Sequence, residues 1–196
     1  MPHMMFRYNR IIRDAWYEWC REVPAEELLR KRTGGVGGIL HTLFHIADVE
    51  WSWIRVLVGK PDFQESFDGY SSLERVMELD AVFRPDVERF LSDWDPAMGE
   101  NRLEDQLPDG SMRYCTWNEV LTHMIAHEIH HCGQLSVWAR EIGRKPVGAG
   151  AIGLGLGMES RLEEPAGYRL ATRRAGTWAE DQASGRTADV RHQRGR

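Results

Sequence analysis

Six of the eight histidines in this chain of 196 residues fall in two short segments, and their spacing there is helical. His123, His127 and His131 follow one another at intervals of four, with His130 beside the last. At 100° per residue they take wheel positions of about 0°, 40° and 80°, with His130 at about −20° and Gln134 at about 20°, so all five share one face. The segment opens on Thr116 and Glu119 at capping-box spacing and closes on Gly143, which predicts a helix from Thr116 to about Ile142. A second helix is predicted from about Ile39 to Val58, where His41, His45, Asp48 and Ser52 form a polar stripe among Leu, Phe and Trp. That stripe has to face something polar. Two imidazoles at i and i+4 stand about 5–6 Å apart, close enough to converge on one ion, and a third ligand must then come from another helix. Unpartnered burial of so many imidazoles is costly, and a divalent cation shared by three of them offsets the cost.

The rest of the chain supplies the partners for these helices. Ile11, Ile12, Ala15, Trp16, Trp19 and Cys20 recur at spacings of three and four, predicting a helix from Met5 to about Glu22 that Pro24 and the glycine run 33–38 end. Another begins at Ser71, with Glu74 completing a capping box, and runs through Leu73, Val76, Met77, Val82, Val87, Phe90 and Leu91; Pro85 should kink or offset it. From Asp95 to Cys115, Pro96, Gly99, Pro108 and Asp109-Gly110 read as a connector with a short hairpin. The expected fold is therefore all-α, a four-helix bundle with a long crossover connection, over residues 1–145. Residues 146–196 read as a flexible, disordered Gly/Arg-rich C-terminal extension. Nine of the 19 glycines fall in the last 52 residues, where nine basic groups face six acidic ones. Gly153, Gly155 and Gly157 form no phosphate loop, since no strand precedes them and no helix with Lys-Ser/Thr follows.

Charge and cysteine usage narrow the function classes. The formal net charge of −5 argues against a dedicated binder of nucleic acid or anionic membrane, with Arg173-Arg174 and Arg191 to Arg196 the only basic clusters to the contrary. No signal peptide and no run of 18 apolar residues is present, which places the protein in the cytoplasm. Cys20, Cys115 and Cys132, with no CxxC among them, read as reduced thiols rather than a disulfide or thiolate-zinc framework. Eight tryptophans exceed what one small bundle needs for its own core, so a homodimer is expected.

Two segments, 43–51 (Leu-Phe-His-Ile-Ala-Asp-Val-Glu-Trp) and 123–135 (His-Met-Ile-Ala-His-Glu-Ile-His-His-Cys-Gly-Gln-Leu), resemble the DinB family of DinB/YfiT-like metal-binding four-helix bundles. This is not the DNA polymerase of the same name. The resemblance covers about residues 4–145 and implies that His45, His127 and His131 are metal ligands, separated by the 82 residues the family shows between the first two. The family has a basic residue after the paired histidines; this chain has Cys132. Characterised members similar to the family include thiol S-transferases that use bacillithiol or mycothiol and a mycothiol-dependent isomerase. The resemblance thus implies a metal-dependent thiol S-transferase acting on small electrophiles in stress or detoxification, with a low-molecular-weight thiol as co-substrate. Three histidine ligands suit zinc first, then nickel, iron or manganese. The alternative from another class is a non-enzymatic, metal-binding dimeric stress protein.

A competing motif occupies the same helix. His127-Glu128-Ile129-His130-His131 satisfies His-Glu-x-x-His, the zinc-peptidase signature in which Glu is the general base. The metzincin extension fails, with Gly133 one place early and Val137 where the third histidine belongs. Asp48, His41, Glu128 and Gln134 are candidates for orienting ligands or substrate, His123 for receiving a proton, and His130 for a helix interface.

Overall fold

The computed structural model describes residues 2–63, 65–106 and 109–156. Its frame is four long helices, α1 (Pro2–Arg21), α3 (Ile39–Leu57), α4 (Leu73–Ser92) and α5 (Trp117–Glu141), with a short α2 (Ala25–Leu29) after α1. The principal packing sets α3 against α4 and α5, and α1 against the same two, so α1 faces α3, and α4 faces α5, across the bundle diagonals. The connection from α4 to α5 is thus the expected crossover. It carries a 3-10 turn (Pro96–Glu100) and a hairpin of β1 (Arg102–Gln106) and β2 (Met112–Thr116), antiparallel with Arg102 opposite Thr116.

Local chemistry sets the helix ends. Thr116 accepts from the Glu119 amide while the Glu119 carboxylate accepts from the Thr116 amide, the reciprocal capping box expected for α5. On α4 the cap is one residue later than predicted: Ser72, not Ser71, accepts from the Arg75 amide. The helix runs on through Pro85, which is exposed, as is Ala81 four residues earlier. The carbonyl deprived of its donor therefore faces water, where the loss is cheapest.

Two apolar clusters fill the interior. One centres on Trp16, Leu40, Leu43, Val76, Leu135 and Trp138, the other on Phe6, Ile54, Val87, Phe90, Leu121 and Met124. The inward face of α1 is rotated from the sequence reading: Phe6, Asn9, Ile12, Arg13, Trp16, Tyr17 and Cys20 are buried, while Ile11, Ala15 and Trp19 are only half-buried. On α4, Val82 is 70% exposed and Phe83 takes the core position. Residues 146–156 lie along this unit rather than away from it. Tyr8 donates to the Ala149 carbonyl at 2.8 Å, and Val147, Leu154 and Leu156 pack on the first cluster. The expected disorder of the remaining extension, with its arginine clusters, falls on residues outside those described. No described helix is long and apolar enough to cross a membrane.

Candidate metal centre

Because α3 and α5 are neighbours, their polar stripes meet at one seam. His45 of α3 and His127 of α5 bring their Nε2 atoms to 3.0 Å, and His131 Nε2 lies 3.0 Å from the same His127 nitrogen. All three ligand atoms fall within 4.8 Å of one another. Metal–nitrogen bonds of about 2.0–2.1 Å place neighbouring ligands about 3.3 Å apart at a tetrahedral angle and about 2.9 Å apart at a right angle. The two 3.0 Å spacings lie between these, so both pairs suit either geometry, while His45 and His131, bounded only at 4.8 Å, have to close together on an ion.

The donor set also has the right protonation. Burial pushes His45 down to about 4, with the His131 and His41 rings lowering it further, and His127 down to about 3, with His131 and His45 the next causes; His131 is lowered too, again chiefly by burial. The rings are therefore neutral near pH 7, with lone pairs free to bind. For His131 the tautomer follows from its neighbours. Nδ1 lies 2.8 Å from Gln134 Oε1, an acceptor, so the proton sits on Nδ1 and Nε2 turns its lone pair to the cluster. Gln134 Nε2 donates in turn to His130 Nε2 at 2.9 Å.

The other candidates surround this cluster without joining it. His123 and His130 are exposed; His123 packs edge-on against Trp53. His41 stacks flat on Phe67 with centroids 4.4 Å apart. Asp48 accepts from Ser52 at 3.0 Å, and burial raises its pKa. Cys132 is buried and burial pushes its thiol up to about 12, which removes it as a nucleophile.

Glu128 departs most from the peptidase motif. Its carboxylate points into the bundle interior, 2% exposed, clasped by Arg13 through Nε at 2.9 Å and Nη2 at 2.6 Å. A base committed to a buried guanidinium is not available to a water at the seam, so the His-Glu-x-x-His reading loses its general base. Sequence reasoning missed this ion cluster because the α1 stripe was drawn from apolar residues alone. The signal was Asn9, Arg13 and Tyr17 at intervals of four, on the arc that Phe6 and Cys20 also occupy.

Comparison with known proteins gives the family. The DinB family model matches residues 1–153. The chain is 46% identical over 151 residues to the uncharacterized protein YizA of Bacillus subtilis (strain 168), an alignment covering 76% of this chain and 92% of that protein. It is 22% identical over 145 residues to Protein DinB of the same organism, covering 71% of this chain and 84% of that one.

Proposed function

This chain belongs to the DinB family, and from that premise and the converging imidazoles we propose a divalent-metal-dependent enzyme that transfers a low-molecular-weight thiol to small electrophiles. The observation that carries the reading is the meeting of three neutral Nε2 atoms from two helices at one point. Under it, His45, His127 and His131 are the ligands of zinc, or of nickel, iron or manganese. A bound divalent ion supplies Lewis acidity, which lowers the pKa of a coordinated thiol or water and leaves at least one position for substrate.

The chain's own side chains then have limited tasks. Gln134 holds His131 in the tautomer that binds, and the half-buried setting of His45 and His127 keeps both unprotonated. His123 and His130 beside the cluster are exposed, so the seam reaches solvent. With Glu128 turned inward, chemistry that needs a carboxylate base is disfavoured, and transfer of a thiol already deprotonated at the ion is favoured. The proposal includes a cytoplasmic homodimer in a stress or detoxification role. Ile129 and Val137, 42% and 55% exposed on α5, are the apolar surface that favours it.

The test is elemental analysis of the purified protein, followed by turnover assays with low-molecular-weight thiols and an electrophile. Stoichiometric metal and a turnover lost in His45→Ala are expected. Stoichiometric metal without turnover on any thiol would move the reading to a non-enzymatic metal-binding dimer. Metal-dependent peptide hydrolysis would overturn it in favour of a hydrolase.

A further inference from the structure

We propose that Arg13, on a helix that supplies no ligand, is a positioning residue for the metal centre, locking the rotation of both ligand-bearing helices through Glu128 and Glu50. The inference rests on the reading that His45, His127 and His131 hold a metal ion. Arg13 is 2% exposed and joins all four long helices: it donates to Glu128 of α5 through Nε and Nη2, and to Glu50 of α3 and Asp80 of α4 through Nη1, both at 2.9 Å.

The placement of those carboxylates relative to the ligands gives the cluster its leverage. Glu128 directly follows His127 and precedes His131 by three residues; Glu50 follows His45 by five. Each ligand-bearing helix thus carries its histidines on the seam and an acid on the flank turned to the core. An imidazole Nε2 lies about 7 Å from its helix axis, so a rotation of about 5° moves it by about 0.6 Å. Metal–ligand bond lengths stay within about 0.2 Å of their preferred values, so such a turn has to be taken up by the imidazoles themselves. Apolar packing is non-directional and resists so small a rotation weakly, whereas a planar guanidinium with four donated hydrogen bonds accepts few orientations. Stability alone is a poor reason for such a cluster, since well-packed apolar replacements of buried ion pairs are often neutral or better.

Arg84 provides the internal control. It pairs with Asp80 on its own helix and with Asp14 on α1, and neither is on a ligand-bearing helix. Its loss should cost stability without turning α3 or α5.

The test uses the full chain with Co²⁺ as the probe, measuring its Kd by chelator competition, its visible ligand-field spectrum, and the melting of the metal-free protein. Arg13→Lys keeps the charge but not the fork; about a 10–100-fold loss of Co²⁺ affinity with an altered spectrum is expected, on a preserved helical circular dichroism signal. Arg84→Met should lower the melting temperature while changing the Kd less than about threefold. If Arg13→Lys fails to fold, Glu50→Gln, which removes one leg and keeps the size, should still weaken Co²⁺ binding and shift its spectrum. Unchanged Kd and spectrum in Arg13→Lys, or in Glu50→Gln where it is needed, would overturn the inference, as would an equal loss in Arg84→Met. Failure of the wild type itself to bind Co²⁺ would instead overturn the metal reading, and the inference with it.

Discussion

Gly35 lies outside the helices, yet its replacement should reach the metal centre. It takes a φ of +51°, in the left-handed region, and a Cβ built there would stand 2.3 Å from Gln134 Oε1. Gly35→Ala therefore makes two separable demands. The backbone must hold an L side chain in a left-handed conformation, at about 1–2 kcal/mol. The Gln134 amide must also swing away, which removes the acceptor that fixes the His131 tautomer, a hydrogen bond of about 0.5–1.5 kcal/mol net. Together these come to about 1.5–3.5 kcal/mol, or a melting temperature lower by about 3–14 °C for a domain of this size. Metal affinity should fall about tenfold or more, because His131 loses its orienting partner. Melting of the metal-free protein and chelator competition measure the two effects. The deciding experiment is the cycle with Gln134→Ala. With the amide already gone, Gly35→Ala should cost only the backbone strain, leaving a coupling of about 0.5–1.5 kcal/mol between the two sites. Equal costs in both backgrounds, together with unchanged metal affinity in Gly35→Ala, would refute the reasoning.

His127→Ala or His131→Ala should empty the site while far-UV circular dichroism stays helical, because the two apolar clusters do not depend on the ion; full metal occupancy in either variant would contradict the ligand assignment. Without metal, His45 and His127 titrate near 4 and 3 in the folded protein, against about 6.5 in the unfolded chain. The unfolded state then binds more protons as pH falls below about 6.5, so stability should decline from there towards pH 4, and a flat series of urea melts over that range would count against the buried neutral rings. Ending the chain after Gly148 rather than after Leu156 removes the Ala149 acceptor of Tyr8 and the packing of Leu154 and Leu156, and should lower stability by at least about 1 kcal/mol; identical melting of the two truncations would mean that this segment adds nothing.

The helices and the faces that carry the histidines were legible because each is written in a local period, whereas the choice of His45, His127 and His131 among them came from the family resemblance. His127 and His131 share a face by spacing alone, and the Thr116 and Glu119 box marks a helix start within two residues of the observed one. What was not legible depends on which flank of a helix faces the core. On α1, apolar content put Ile11, Ala15 and Trp19 inside, although the buried arc contains Asn9, Arg13 and Tyr17. Arg13 became an interior position only because Glu50, Asp80 and Glu128 arrive opposite it from three other helices, over separations of 37, 67 and 115 residues, and Asn9 because the Ile125 carbonyl accepts from it. The docking of residues 147–156 was not legible for a similar reason. The segment has no period of its own, and it docks through a backbone carbonyl and isolated apolar residues that only the finished surface of α1 and its neighbours can receive.

The His-Glu-x-x-His match shows how far a short motif depends on that same rotation. In a metallopeptidase helix the glutamate must reach the water beside the ion while both histidines bind it. Here the pair that converges with His45 is His127 and His131, the first and fifth residues of the motif, which places Glu128 about 100° around the helix from His127. Whether a residue at that angle serves the seam or the core is decided by what waits on each side. On the core side stands Arg13, with Nε and Nη2 spaced to donate to both oxygens of one carboxylate. Turning Glu128 back to the seam would leave a fully buried guanidinium with only Glu50 and Asp80 on a single nitrogen, a loss of the kind that costs about 3–5 kcal/mol when a buried pair is broken. The five motif letters are present, but the ion cluster selects their rotation, and the histidines converge without the acid between them.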